Sequence, residues 1–236
     1  MGIEKVKVEE LADLFAYRRD RFGLIADTFA QESSEQSIAQ IIAHASAFEK
    51  ELDGLAEATL NKGLNALVVG ELQDFATKTR TEYARLFLGP RSVKAPLHES
   101  AYLSGVSRTF TTETLAVRKF YEHYGYVVKA KNVEPDDAIA TEFEFLRNLC
   151  DRCLLILREE DTSEATLEKI NSLVQAQKVF KEQHLNRWAK EFAYRVVEHD
   201  QSGYYRAWAK YLIDVLDEDE ELQKECEKIV GENTNS

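Results

Sequence analysis

The sequence predicts an all-α fold, a single compact multi-helix domain, and three observations carry that expectation. Apolar residues recur at gaps of 3, 4 and 7 in nearly every segment outside 89–110, the period of a helix with one buried face. Only 3 prolines and 10 glycines interrupt 236 residues, so helix breakers are scarce. No pair of alternating apolar–polar runs and no internal repeat of solenoid length is found, which argues against a sheet or a repeat array. With 44% apolar residues there is material for a core. The expected domain covers 1–230, with an N-terminal part of about 1–131, a C-terminal helical bundle of about 132–230, and a disordered tail at 231–236.

Leu11, Leu14, Phe15, Phe22, Ile25 and Phe29 form the first stripe. Ser33 then offers an N-cap, with Gln36 three residues on to complete a capping box. Ile38, Ile41, Ile42, Ala45 and Phe48 carry the second helix, and Gly54 and Gly63 punctuate short segments after it. A further helix is expected from about Gly70 to Leu88. The pattern breaks at 89–110, which holds two prolines, two glycines and four serines. An irregular stretch of that length inside a compact domain is more often functional than idle. Helix resumes from about Thr112 to Tyr124, where Gly125 suits a left-handed cap. Pro135 fits a first helical turn, and Asp136 and Asp137 would lie at the positive end of that helix. The segment to about Glu160 repeats Ile139, Phe143, Leu146, Cys150, Cys153 and Leu157, with a second stripe of Phe145, Leu149 and Ile156. A helix apolar on two faces is a central one. Helices over 163–187, 187–199 and 202–229 complete the bundle.

Composition narrows function by exclusion. A net charge of -12, from 42 acidic and 30 basic residues, repels nucleic acid and anionic lipid and suits a basic partner. No run of apolar residues is long enough to span a bilayer, and the charged start MGIEKVKVEE has no signal-peptide core. Three cysteines do not form a disulfide framework and point to a reducing, cytoplasmic setting. Cys150 and Cys153 form a C-x-x-C, but inside a helix and on its apolar stripe, where core thiols are expected. A redox or hydrolytic enzyme using that pair or an acidic pocket is the alternative. His98-Glu99 begins like a zinc-protease motif, yet Tyr102 stands at the second histidine position. No phosphate-binding glycine loop and no nucleophile–base–acid set appears. The expectation is therefore a non-enzyme without a metal or other cofactor. The acidic run Asp214 to Glu221 reads as a solvated face, with a docking patch as the other reading.

One constellation suits binding: Glu82-Tyr83, Leu86-Phe87-x-Gly89-Pro90, Pro96-x-x-Glu99-Ser100-x-Tyr102, and Pro135-Asp136-Asp137. Apolar walls with carboxylates make a groove for a basic, hydrophobic peptide; the same residues would equally hold a loop to a helix.

E-Y-x-x-L-F-x-G-P at Glu82 to Pro90 and A-P-L-x-E-S-x-Y at Ala95 to Tyr102 resemble the signature of the TorD/DmsD/NarJ family of molybdoenzyme maturation chaperones. P-D-D-A-I-A-T-E-F from Pro135 is similar to a third block, and Phe180, His184, Leu185, Trp188 and Phe192 to a fourth. The resemblance implies a cytoplasmic, all-helical chaperone of anaerobic respiration. It would bind the twin-arginine signal peptide and apo catalytic subunit of a molybdopterin oxidoreductase, delaying export until cofactor insertion, as a monomer or homodimer. A constitutive assembly subunit of a reductase complex is the neighbouring reading. By position, the resemblance puts peptide binding at Tyr83, Leu86, Phe87, Pro96, Glu99, Ser100, Tyr102, Asp136 and Asp137. Two departures stand out: Ala95 where the family often has a first proline, and Asp137 where it usually has histidine.

Overall fold

Periodicity becomes helix wherever it is strong. The computed structural model describes residues 5–51, 60, 64–65, 72–88, 93–104, 111–128, 135–159 and 163–234. Among these the chain forms α1 Lys5–Phe29, α2 Glu35–Glu51, α3 Leu72–Phe87, α4 Glu99–Leu103, α5 Thr112–His123, α6 Ile139–Arg158, α7 Glu164–Gln183, α8 Ala189–His199 and α9 Tyr204–Thr234. A 3-10 turn, Leu185–Arg187, joins α7 to α8. The described residues contain no regular sheet, only one antiparallel bridge between His98 and Ala138. The architecture is all-α. Gly54, Gly63, Gly89 and Pro90 lie outside the described residues.

The doubly apolar helix is α6, and it is central. Its Phe143, Phe145, Leu146, Leu149, Cys150 and Cys153 are fully buried. α1 lies along one side of it, with Phe22 and Phe143 ring centroids 5.8 Å apart, and α7 packs on another. α9 closes the bundle against α7, α8 and α1. A second nucleus is aromatic. Phe29 of α1, Tyr83 and Phe87 of α3, Phe192 of α8 and Tyr205 of α9 meet with centroids 4.8 to 6.4 Å apart. Edge-to-face pairs of this kind add about 0.5–1.5 kcal/mol beyond the area they bury. Tyr83 also donates its hydroxyl to the Phe29 carbonyl, so α3 is fastened to the end of α1.

Local signals account for several helix ends. The Ser163 side chain accepts from Thr166 N, as an N-cap should. Gly125 adopts φ 69° after α5, the expected left-handed stop. Asp200 accepts from the backbone N–H groups of Ser202, Gly203 and Arg206 and starts α9. Four expectations are corrected. Ser34, not Ser33, receives the N–H of Ser37 at α2, while Ser33 is buried against the Tyr205 hydroxyl. Pro135 to Ala138 form a turn, so Asp136 and Asp137 precede α6 rather than opening it. The final helix continues through Thr234 into the segment expected to be disordered. The acidic run is not wholly a solvated face, because Asp219 is buried between Arg18 and Lys181.

Candidate functional site

The described part of the irregular segment, residues 93–104, is held to its surroundings by backbone hydrogen bonds. Lys94 and Ala95 donate their N–H groups to the Leu86 carbonyl, both at 3.1 Å. Proline at position 95 would lack that donor, which gives this chain's first departure a physical reason. Further on, Glu99 N donates to Asp137 O at 2.9 Å and Ile139 N to Leu97 O at 2.8 Å. These two bonds make the His98–Ala138 bridge and stitch the Pro96 block to the Pro135 block.

Side chains complete the junction. Asp137, fully buried, accepts Ser100 N at 2.9 Å and the Thr114 hydroxyl at 3.0 Å. It thus caps the start of α4 and ties it to α5. A neutral imidazole has a single acceptor nitrogen and could serve only one of these donors, so aspartate here does what the family's usual histidine could not. Asp136 accepts from Arg118 Nε at 2.6 Å, and its carbonyl accepts the Tyr121 hydroxyl at 3.2 Å. Glu99, at the first position of α4, accepts from His184 Nδ1 at 3.1 Å, with Arg187 3.8 Å away. Glu142 takes the Trp188 indole N–H at 3.3 Å through Oε2, while its Oε1 is buried without a hydrogen-bond partner among the described residues. Burial, reinforced by the Glu99 and Asp137 carboxylates, raises the Glu142 carboxyl well above the usual range. Three of the four sequence blocks therefore converge on one polar junction, and the first is tied to the second through the Leu86 carbonyl.

Seven of the nine residues expected at the binding surface are buried: Tyr83, Leu86, Phe87, Glu99, Ser100, Asp136 and Asp137. The first three belong to the aromatic nucleus under α3. The other four build the junction just described. Pro96 and Tyr102 are part exposed, joined by the Tyr102 hydroxyl on the Pro96 carbonyl at 2.8 Å. One face of Tyr102 meets Trp188, centroids 5.2 Å apart. The Arg195 guanidinium sits 4.8 Å from the Tyr102 centroid and donates to Glu191 at 2.9 Å. The sequence reading did not single out Arg118, Glu142, Glu191 or Arg195. Glu142 carried a signal, since it falls in the third block; the other three are legible only once the helices are assembled. Beside His184 an open groove of about 820 Å³ is lined by Lys119, Phe120, His123, Tyr124, Gln183 and Arg187 among others.

The thiols do not form a reaction centre. Cys150, Cys153 and Cys226 are buried and unpaired. Burial pushes Cys150 up to about 12 and raises Cys153 and Cys226 as well, the opposite of an activated thiolate. Among the described residues no group of three potential ligands is placed to hold a metal, and no helix is long and apolar enough to cross a membrane.

Fold and junction together define a helical scaffold that fastens loops and presents their aromatic and charged edges, the build of a binding protein. Residues 43–194 match the family described as nitrate reductase delta subunit. The chain belongs to that family, within the TorD/DmsD/NarJ group of maturation chaperones, which are not enzymes. Chaperone protein TorD of Vibrio cholerae serotype O1 (El Tor Inaba N16961) is 28% identical over 219 residues, spanning 90% of this chain and 94% of that one. Chaperone protein TorD of Aliivibrio salmonicida is 26% identical over 220 residues, 90% and 97% of the two chains. A crystal structure from Archaeoglobus fulgidus, described as a redox enzyme maturation protein, superposes with a TM-score of 0.53 at 22% identity, over 82% of this chain and 91% of that one. The last likeness speaks for the fold.

Proposed function

We propose that this chaperone works in the cytoplasm, where it binds the twin-arginine signal peptide and apo catalytic subunit of a molybdopterin oxidoreductase. It holds them back from export until the cofactor is inserted. The name that the Vibrio and Aliivibrio relatives carry, chaperone, supports the first half. The observation that carries the peptide site is Arg195 on Tyr102. A guanidinium already rests there between an aromatic face and the Glu191 carboxylate, which is the environment that selects arginine over lysine. A peptide arginine takes the place of Arg195, and the net charge of -12 draws the peptide in.

The nine expected residues then divide the work. Tyr102 and Pro96 touch the peptide. Glu99, Ser100, Asp136 and Asp137 hold the loop that carries Tyr102, and Tyr83, Leu86 and Phe87 anchor α3 beneath it. Phe120 and Tyr124 in the groove beside His184 offer contact to the apolar part of the peptide.

Calorimetric titration with a twin-arginine peptide and its twin-lysine version tests the reading. Tyr102→Ala and Glu191→Gln should each weaken the arginine peptide about three- to tenfold. Arg195→Ala, which removes the internal competitor, should leave affinity unchanged or improve it. Equal binding of both peptides by parent and folded variants would sink the assignment.

A further inference from the structure

Between α7 and α9 lies a pocket of about 450 Å³, distinct from the junction and sharing with the His184 groove the exposed side chain of Glu182. Phe22, Leu185 and Leu216 give it apolar walls, and Lys181, Asp219 and Gln223 line its buried side. Behind the wall, Arg18 is fully buried and pairs with the same carboxylate: Arg18 Nε lies 2.6 Å from Asp219 Oδ1, and Lys181 Nζ bonds Oδ2. Two buried cations thus share one anion. The other buried neighbours are neutral. Gln223 accepts from Arg18 at 2.7 Å, and the thiols of Cys150 and Cys226 beside Arg18 are kept protonated by burial. The charges nearer the solvent lie at the rim: Lys178 pairs with Glu227 at 3.2 Å, Lys190 with Asp217 at 2.5 Å, and Lys224 with Glu221 at 2.7 Å and Glu220 at 3.6 Å, while the exposed Glu182 also lines the mouth. The buried cluster is left with one unmatched positive charge facing a pocket whose inner wall carries Phe22, Leu185 and Leu216 and whose rim is charged.

We propose that this pocket binds a small organic anion, a carboxylate with a short apolar body, whose charge pairs with the Lys181 ammonium. Asp219 occupies one of the three ammonium donors, so capacity remains for a second acceptor. The apolar body lies against Phe22, Leu185 and Leu216, as in other ligand pockets of this size. Burial lowers Lys181 below the usual lysine range despite Asp219, as expected of an ammonium short of negative charge. The pocket meets the groove beside His184 only at the exposed Glu182, and its ligand uses none of the contacts made to the peptide.

The test uses hexanoate, hexanamide and hexylamine as probes, titrated into the full chain and followed by backbone amide shifts in NMR. Hexanoate should bind saturably, moving amides around Lys181 and Leu216, and hexanamide and hexylamine should bind at least about tenfold more weakly. Lys181→Met removes the charge while keeping most of the volume, and should weaken hexanoate at least about tenfold. Leu216→Trp fills the space without touching the charges and should do the same; it decides the matter should Lys181→Met fail to fold. Equal binding of hexanoate and hexanamide, undiminished binding in either folded variant, or no saturable hexanoate binding overturns the proposal.

Discussion

At the scale of single residues, Glu142 is the most consequential side chain that sequence reading passed over. Its carboxyl is fully buried, beside two other carboxylates, with one oxygen unsatisfied. A carboxyl whose folded pKa is raised contributes stability fully below its unfolded pKa of about 4.3, and that contribution is lost as pH rises towards the folded value. Glu142→Gln should abolish this loss. Urea denaturation at a series of pH values from 4 to 8 should show parent stability falling by at most about 1.4 kcal/mol per pH unit from this group, and the variant flat over the same interval by comparison. Identical profiles would show that Glu142 is ionised in the fold. The cysteines make a second residue-scale case. The place of Cys150 and Cys153 on the apolar stripe of α6 was legible because a 3.6-residue period needs only local sequence, and Cys226 is buried on α9. All three are buried, and thiol reagents should label them only as fast as the native protein opens. Rapid labelling of Cys150 in the native state would contradict this.

At the scale of elements, the sequence was a good guide to helices and a poor one to what their ends do. α3, α5, α7 and α8 begin and end within a few residues of the expected positions, because caps and apolar stripes are local features. Asp136 and Asp137 illustrate the limit. Their placement just after Pro135 suggested a helix start open to a ligand, yet their partners are Arg118, Thr114 and Ser100, 18, 23 and 37 residues away. No local pattern encodes those pairings. The same is true of α4, five residues of helix inside the irregular stretch, whose N-terminal N–H is received by Asp137 rather than by a residue of its own neighbourhood. Asp137→Ala takes the acceptor from Ser100 N and leaves the Thr114 hydroxyl only its longer contact to the Thr111 hydroxyl at 3.3 Å. It should cost about 2–4 kcal/mol from the two groups together, read as a shift in denaturation midpoint at unchanged m-value. Asp137→Asn, which keeps one acceptor oxygen, should recover part of it. A loss below about 0.5 kcal/mol for the alanine variant would show that the junction does not hold α4 in place.

For the whole molecule, Arg18, Lys181 and Asp219 join elements from both ends of the chain. Arg18 lies on α1 and Asp219 on α9, 201 residues apart, with Lys181 on α7 between them. Burial alone would raise the Asp219 carboxyl, but Arg18 and Lys181 outweigh it and hold the group below the usual range. A depressed folded pKa contributes stability above the unfolded value of about 3.9 and loses it as pH falls through the folded one. Asp219 therefore opposes acid unfolding in a range below the one where Glu142 acts. Asp219→Asn leaves two cations buried together and should cost about 3–5 kcal/mol at neutral pH, measurable as a lower midpoint in thermal or urea unfolding. A variant as stable as the parent would mean that the cations find water or another anion. The acidic run of the sequence hid this residue because seven neighbouring positions between 214 and 221 do not distinguish an inward carboxylate from an outward one; only the helical phase against α1 and α7 does.

Trp188 gives the junction an optical voice. It is buried, it donates its indole N–H to Glu142, and its ring lies 5.2 Å from that of Tyr102. The chain's other tryptophan, Trp208, is buried on α9. Replacing it with phenylalanine leaves a single emitter in contact with both the titrating carboxyl and the proposed arginine platform. Emission from Trp188 in that chain should change as Glu142 gains or loses its proton, and should shift again when a peptide displaces Arg195 from Tyr102. The molecule thus carries its own unlabelled reporter of occupancy, one that in stopped-flow mixing would separate the moment of peptide arrival from any slower settling of the helices around it.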